Sequence, residues 1–208
     1  MNALAAEEAG RIGEAFLFVR DLFHAPGPEQ WARLSAPEIR TAWEALAERL
    51  DIPTDVGLPA AGAGYETSFI AAFDAGAPHP PVPLIESHYN KGDPVPRILH
   101  ENVLFYRSFG LRLRESRGET SDHLRHQLEF VGHLYGMEAE ELRGRNDPDV
   151  IAQIRAGRRE FIERHLMTWL PGAAQEGSRA PEPWIANFVA MAHKLAAFAL
   201  LESSGGPQ

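Results

Sequence analysis

Four side chains that could bind a metal or transfer protons recur along one predicted helix. They are Asp122, His126, Glu129 and His133, whose spacings of four, three and four residues place them on one helical face. Carboxylates and imidazoles on one face could share a metal ion such as zinc. A di-metal helical bundle would also need a Glu-x-x-His pair on further helices, and the sequence has none. We therefore favour a solvated polar face, and we expect no metal and no cofactor.

Other active-site patterns are missing from the sequence. It contains no GxxxxGK[ST] phosphate loop, no GxGxxG turn and no GxSxG nucleophile elbow. It has no cysteine, which excludes disulfides, thiolate metal ligands and a cysteine nucleophile. We predict a specific binding protein that is not an enzyme. The alternatives are a helical His/carboxylate metalloenzyme and a generic helical interaction adaptor.

The charge of the chain is acidic and unevenly distributed. With 20 basic against 29 acidic residues, the net charge of -9 argues against a nucleic-acid partner, which needs a surplus of lysine and arginine. Between Glu119 and Asp149, eight acidic residues accompany three arginines. An acidic surface beside buried aromatic residues suits a peptide that is basic at one end and apolar at the other. The alternative is a solvated helix face without a partner, because most runs of charged residues are simply exposed to solvent.

The first ten residues do not resemble an export signal. Met1 to Gly10 is acidic and rich in alanine, without the basic region and apolar core of a secretory signal. We recognise no apolar run that approaches the roughly 20 residues needed to span a bilayer. The sequence therefore predicts a cytoplasmic protein without membrane insertion.

The elements that must position these residues are predicted to be helices throughout. Apolar residues recur at spacings of three and four, and no segment alternates as a strand would. The clearest apolar stripes are Ile12, Phe16, Val19 and Phe23; Ile39, Trp43, Leu46 and Leu50; Tyr65, Phe69 and Phe73; Leu124, Leu128, Val131 and Tyr135; and Phe188, Met191, Leu195 and Phe198. We predict an all-α fold, a single domain of about eight to ten helices.

A proline-rich loop divides these helices into two groups. Between positions 77 and 96 the chain has six prolines, too many for one helix to continue through. The predicted domain consists of an N-terminal helical part (1–76), the loop (77–96), a C-terminal helical part (97–203) and a short tail (204–208). Long loops inside compact domains are often functional.

Local signals predict where individual helices begin and end. Gly76 suits a left-handed cap at the end of the third helix. Ser121 is a candidate N-cap, with Asp122 in the first turn of the helix that follows. That helix is predicted to break near Gly136, and the next long helix is predicted to stop at Pro171.

Several short motifs follow one another along the chain. They are Leu22-Phe23-His24-Ala25-Pro26, Glu86-Ser87-His88-Tyr89, Tyr106-Arg107-Ser108-Phe109-Gly110-Leu111, and the block from Asp122-His123-Leu124 to Leu128-Glu129-Phe130. In these motifs the chain resembles the TorD/DmsD/NarJ-type maturation chaperones of redox enzymes, over nearly its whole length. The last block is the most specific. The family usually has proline after the glutamate that precedes Asp-His, where this chain has Thr120.

The resemblance implies a TorD-like fold and a cytoplasmic chaperone specific for a molybdoenzyme. The implied partner is the catalytic subunit of an enzyme of the dimethyl-sulfoxide-reductase superfamily, bound through its N-terminal twin-arginine signal. The chaperone would assist folding, cofactor insertion and assembly before export. The implied peptide-binding positions are Glu86, Ser87, Tyr89, Tyr106, Phe109, Asp122, His123 and Glu129.

Each implied role has a structural alternative. Asp122 could pair with a guanidinium through charge-assisted hydrogen bonds, while Tyr89, Tyr106 and Phe109 could line an apolar groove. Equally, Tyr106 and Phe109 could be core residues, and Asp122 could cap its helix or bind a backbone N–H. No phosphate cradle accompanies these residues, so we do not predict nucleotide binding.

Overall fold

The fold is all-α, which confirms the prediction made from apolar spacing. A computed structural model describes residues 2–54, 58–60, 62–113 and 119–204. Within these ranges lie ten α-helices: α1 (Asn2–Leu22), α2 (Pro28–Leu34), α3 (Pro37–Arg49), α4 (Ala63–Phe69), α5 (Glu86–Tyr89), α6 (Val95–Ser108), α7 (Leu124–Arg143), α8 (Pro148–Phe161), α9 (Leu170–Gly177) and α10 (Pro183–Ser204). Two π-helical turns, Ile70–Asp74 and Ile162–Leu166, continue α4 and α8.

Helices α1 and α7 form the most extensive helix pair in the part of the chain that the structure describes. They approach closely where two glycines meet, because a Cβ on Gly13 would lie 3.1 Å from the Gly132 carbonyl oxygen. Nearby, the rings of Phe16 and Tyr135 stack with their centroids 5.9 Å apart. We call this contact the α1–α7 seam. The glycines set its width, and the two predicted apolar stripes fill it.

The last helix, α10, passes through the core. Its Phe188 packs against Trp43 of α3 at 5.7 Å and against Phe23 at 6.1 Å. By length and composition, the stretch Pro183–Glu202 could cross a membrane, which corrects the expectation that no apolar run is long enough. However, 56% of it is buried inside the protein, as in the core helix of a globular domain. Ser204 ends α10, and the rest of the predicted tail lies outside the described residues.

Two glycines do not act as the sequence predicts. Gly76 is not a left-handed cap, because the π-helical turn ends in extended backbone at Ala75. Instead, Gly76 lies so close to the His79 backbone that any Cβ would clash there. Helix α7 continues past Gly136 to Arg143, since a glycine inside a helix costs only about 1 kcal/mol.

Two predicted boundary residues also differ from expectation. Pro171 does not stop a helix but lies in the first turn of α9, where its missing N–H has no helical partner to lose. The N-cap of α7 is His123 rather than Ser121, and its Nδ1 accepts a hydrogen bond from the Arg125 N–H at 3.2 Å. Asp122 therefore lies before the helix instead of in its first turn.

The proline-rich loop contains regular structure at two points. Helix α5 is a single turn within it, and α6 begins at Val95 with Pro96 in its first turn. The Val82 N–H donates to the Ala72 carbonyl at 2.9 Å, which ties the loop to the π-helical turn after α4. The loop thus runs along the helices instead of away from them.

Candidate functional site

The segment that leads into α5 lies against the segment that leads into α7. The Glu86 N–H donates to the Asp122 carbonyl at 3.1 Å, and Ile85 and His123 form an isolated antiparallel bridge. We call this contact the α5–α7 junction. It brings together Glu86, Ser87, Asp122 and His123, four of the positions implied by the family motifs.

The side chain of Asp122 is fully buried in the junction. Its Oδ2 accepts a hydrogen bond from the Ser87 N–H at 2.9 Å, and its Oδ1 accepts one from the Thr120 hydroxyl. The chain itself therefore uses both carboxylate oxygens. Of the roles that the sequence leaves open for Asp122, the binding of a backbone N–H is the one that the structure contains.

Glu86 lies at the centre of a buried polar group, which we call the Glu86 cluster. One of its oxygens accepts from the side-chain amides of Gln127 at 2.7 Å and Asn102 at 3.1 Å, and lies 3.1 Å from Nδ1 of His165. The amide of Asn90 donates to the other oxygen at 3.1 Å. Glu86 is 2% exposed. Burial of a carboxylate is tolerable only with such partners.

The cluster extends through Trp169 to Tyr89. The Trp169 indole N–H donates to the Gln127 side-chain oxygen at 3.0 Å, and the Tyr89 ring stacks on Trp169 at 5.5 Å. The Tyr89 hydroxyl donates to Glu176 at 2.6 Å. Burial, reinforced by Glu176, raises the pKa of Tyr89, so this hydroxyl keeps its proton. Gly172 makes room for the ring, because a Cβ there would lie 3.1 Å from Tyr89 Cδ1.

The other two predicted aromatic residues pack on the core. Tyr106 is buried, its hydroxyl donates to the Ser121 carbonyl at 2.7 Å, and burial raises its pKa well above the ordinary value. Phe109 is half-buried against Phe130 at 5.8 Å. It also covers Gly157, where a Cβ would clash with the ring.

His123 is held in its neutral form. Burial lowers its pKa to about 4, against the opposing charge of Glu119. A neutral Nδ1 can accept the Arg125 N–H that caps α7, whereas a protonated one cannot. His123 thus serves the start of α7.

A groove of about 650 Å³ opens beside the junction, between the end of α1 and the start of α7. Its lining combines the apolar side chains of Leu111, Leu113 and Phe130 with two glutamates, Glu119 and Glu129, and two arginines, Arg112 and Arg125. We call it the acidic groove, a name that refers to the two glutamates. Glu129 is the most exposed of the predicted site residues, and its carboxylate lies 3.4 Å from Arg20.

Arginines from other helices neutralise part of the acidic surplus between residues 119 and 149. Glu138 is buried and forms ion pairs with Arg155 and Arg158 of α8. Glu119 pairs with Arg125. The acidic surface is therefore smaller than the residue count predicts, and of the two glutamates in the acidic groove only Glu129 is exposed.

The four residues proposed to share a metal do not converge. Across the described ranges, no three side chains of histidine, cysteine, aspartate or glutamate are grouped to hold an ion. Asp122 turns inward to the junction, while Glu129 is exposed near Arg20.

Besides Asn90 in the loop, sequence reasoning missed three helical members of the Glu86 cluster: Asn102, Gln127 and His165. Each lies in register with an apolar stripe, since Asn102 is four residues before Tyr106 and His165 four before Trp169. A polar residue at helical spacing within an apolar stripe is the signal that could have found them, because such a position is buried.

Comparison with known proteins places this architecture in a family. A family model described as nitrate reductase delta subunit matches residues 33–175. The selenate reductase assembly chaperone protein of Thauera selenatis is 29% identical over 82% of this chain and 78% of its own length. The dimethyl sulfide dehydrogenase assembly chaperone protein of Rhodovulum sulfidophilum is 32% identical over 77% of this chain and 66% of its own.

A further relative matches a shorter stretch. The perchlorate reductase assembly chaperone protein of Dechloromonas aromatica is 32% identical over 51% of this chain and 46% of its own length. The match thus spans about half of each protein. The chain belongs to the nitrate reductase delta subunit family, the NarJ/TorD-type group that its motifs resemble. It is a maturation chaperone rather than an enzyme.

Proposed function

We propose that the chain is the cytoplasmic assembly chaperone of a molybdenum-containing oxidoreductase, whose catalytic subunit it binds through an N-terminal twin-arginine signal. The relatives support a redox-enzyme client, since their names refer to selenate reductase, dimethyl sulfide dehydrogenase and perchlorate reductase. The chaperone holds the subunit while it folds and receives its cofactor, before export.

The observation that carries the proposal is the acidic groove. A leader with adjacent arginines needs carboxylates next to an apolar surface, and Glu119 and Glu129 lie in one groove with Leu111 and Phe130. These carboxylates pair with Arg125 and Arg20 of the chain itself, and in this proposal the arginines of the leader take the place of those partners. Of the implied peptide-binding residues, we assign direct contact to Glu129 and to the edge of Tyr106, which also lines this groove.

In this proposal the remaining implied residues do not contact the client but support the residues that do. Glu86, Ser87, Asp122 and His123 fix the loop and the start of α7, since the two carboxylates, the Ser87 N–H and the His123 Nδ1 are bonded within the chain. They position the groove instead of touching the client. Phe109 packs on Phe130, which lines the groove, and the Tyr89 hydroxyl donates to Glu176, which lines a second groove.

Titration calorimetry tests the assignment. The probe is a synthetic peptide with two adjacent arginines followed by an apolar stretch of about ten residues, or three helical turns. Glu129→Gln should weaken its binding roughly two- to fivefold, because an exposed ion pair contributes up to about 1 kcal/mol. Glu140→Gln is the matched control, since Glu140 is an exposed glutamate on the same helix.

The outcomes separate the site from the function. Equal affinities for wild type, Glu129→Gln and Glu140→Gln would remove Glu129 from the site. Failure of the wild-type protein to bind this probe, or to prefer it over the same peptide with both arginines replaced by glutamine, would count against recognition of a twin-arginine signal.

A further inference from the structure

A second groove lies on another side of the proline-rich loop, between the π-helical turn after α4 and the connection from α9 to α10. Its volume is about 620 Å³. Small and apolar side chains make up much of its lining, namely Ala71, Ala72, Pro81, Ala180, Pro181 and Ile185. We call it the alanine groove. No element of the family motifs points to it, and none of the predicted site residues lines it.

Small side chains on both walls leave room for the backbone of another segment. Alanine and proline present little more than a Cβ or a ring, so an occupant can approach the walls as closely as neighbouring helices approach at small residues. Ile185 of α10 adds a larger apolar side chain to the lining. These features suit an apolar helical segment better than a polar loop.

The rim of the alanine groove carries more negative than positive charge. Glu176 and Glu182 line it together with one cation, Arg179. Glu176 is oriented by the Tyr89 hydroxyl at 2.6 Å, and Glu182 lies 3.4 Å from the Ser68 hydroxyl. The charge at the rim therefore favours an apolar segment that is flanked by basic residues.

A short segment of the proline-rich loop connects the walls of the alanine groove and the acidic groove. The Val82 N–H donates to the carbonyl of Ala72 in the alanine groove at 2.9 Å, and the Leu84 carbonyl accepts from the Leu124 N–H at 2.8 Å, next to Arg125 of the acidic groove. The π-helical turn contributes Ala71 and Ala72 to the alanine groove and ends at Asp74. Loss of water around Asp74, and then the charge of Glu119 in the acidic groove, raise the pKa of Asp74. Val82 and Leu84 are at most about 7 Å apart along the backbone, so one client segment of about ten residues can reach both grooves.

We propose that the alanine groove binds the apolar part of the client leader while its arginines lie in the acidic groove. This inference rests on the function proposed above and adds to it a second subsite. The occupant is an apolar helix, which matches the small-residue walls, and the surplus of negative charge at the rim suits a leader that is basic as a whole.

Two peptides and one steric block test the proposal. The long probe carries two arginines and the apolar stretch, and the short probe carries the arginines alone. Ala71→Trp fills the groove from an exposed position, so the fold should tolerate it. Affinity for the long probe should fall at least tenfold, while affinity for the short probe should not change. Ala42→Trp, an exposed alanine on α3, is the matched control and should bind both probes like wild type.

A second variant, Ala180→Trp on the opposite wall, should repeat the effect of Ala71→Trp, and the melting temperature of each variant verifies that it is folded. Unchanged affinity of both variants for the long probe would overturn the alanine groove and leave the acidic groove intact. Failure of wild type to bind either probe would instead reject the proposed function, and the inference with it. A change in self-association with peptide binding unaffected would reassign the groove to contact between copies of the chain.

Discussion

Helix α7 is buried in two different ways along its length. At the α1–α7 seam, two glycines and two stacked aromatic rings fit closely against each other. At the α5–α7 junction, Asp122 and the Glu86 cluster are buried by pairing each carboxylate with donors from several elements. The seam is stabilised by the close packing of complementary surfaces, whereas the junction is stabilised by hydrogen bonds to buried carboxylates. Shape tolerates small errors gradually, but a missing partner in a buried polar cluster leaves a charge or a donor unpaired.

The largest expected effect comes from removing the centre of the Glu86 cluster. Glu86→Ala leaves the amides of Asn102 and Gln127 and the Nδ1 of His165 without their acceptor. Asn102 and Gln127 each keep one other acceptor, the Ile98 carbonyl and the Asn102 side-chain oxygen. The free energy of unfolding should still fall by about 3 kcal/mol or more, because three buried polar groups lose a partner and an unsatisfied one costs about 1–3 kcal/mol. Denaturant titration followed by circular dichroism measures it.

Glu160→Ala is the control for charge removal alone. Glu160 pairs with Arg164 on the surface, with 54% of its side chain exposed. The change should cost less than about 1 kcal/mol. If Glu86→Ala cost no more than Glu160→Ala, the junction would not depend on its hydrogen bonds.

The next effect separates the two roles considered for Asp122. Asp122→Asn keeps one acceptor oxygen but turns an amide donor toward either the Ser87 N–H or the Thr120 hydroxyl. Stability should fall by about 1–3 kcal/mol, the penalty for an unsatisfied buried polar group. A thermal melt detects the loss. An unchanged melting temperature together with weaker peptide binding would favour a direct guanidinium contact instead.

A smaller effect is expected at the seam. Gly13→Ala gains up to about 1 kcal/mol of helix propensity, but its Cβ would lie 3.1 Å from the Gly132 carbonyl oxygen and from Tyr135 Cβ. Overpacking costs about 1–3 kcal/mol, so a modest net destabilisation should follow. Gly136→Ala is the matched control on α7, because its Cβ would meet nothing within 4 Å. It should stabilise the protein, and the two melting temperatures should move in opposite directions.

The helices of the seam could be predicted from sequence, but their pairing could not. The stripes through Phe16 and Tyr135 identified α1 and α7, since apolar spacing reports which face is buried. Apolar spacing does not show which other helix packs against that face. Gly13 and Gly132 carried no sequence signal for close approach, and α2 was missed because seven residues that begin at a proline show too few turns for a period to appear.

The sequence identified several residues of the candidate site, but it did not show what each of them does there. The motifs brought Glu86 and Asp122 together, and the structure places both at the α5–α7 junction. Their orientation depends on residues far away in sequence, such as Gln127 and His165, so the sequence could not show that the carboxylates face inward. The alanine groove was invisible for the same reason, because its walls are small residues from separate parts of the chain.

The smallest effect at neutral pH concerns His123, and it grows as the pH falls. Burial lowers the pKa of His123 from 6.5 to about 4, so between these values the unfolded state holds a proton that the folded state does not. Stability therefore rises with pH across this window and is lost as the pH falls from 6.5 toward 4. The cause is local, because protonation of Nδ1 removes the acceptor for the Arg125 N–H.

Asparagine can replace His123 as an N-cap without titrating. His123→Asn should melt like wild type at pH 7 and lose less stability than wild type on acidification to pH 5. A shallow slope should persist, since burial also lowers the pKa of His126. His100→Asn, an exposed histidine on α6, is the control and should keep the wild-type slope. Parallel curves of stability against pH for wild type and His123→Asn would mean that the junction does not contribute this pH dependence. The junction would then differ from the seam in its number of hydrogen bonds but not in sensitivity to protonation.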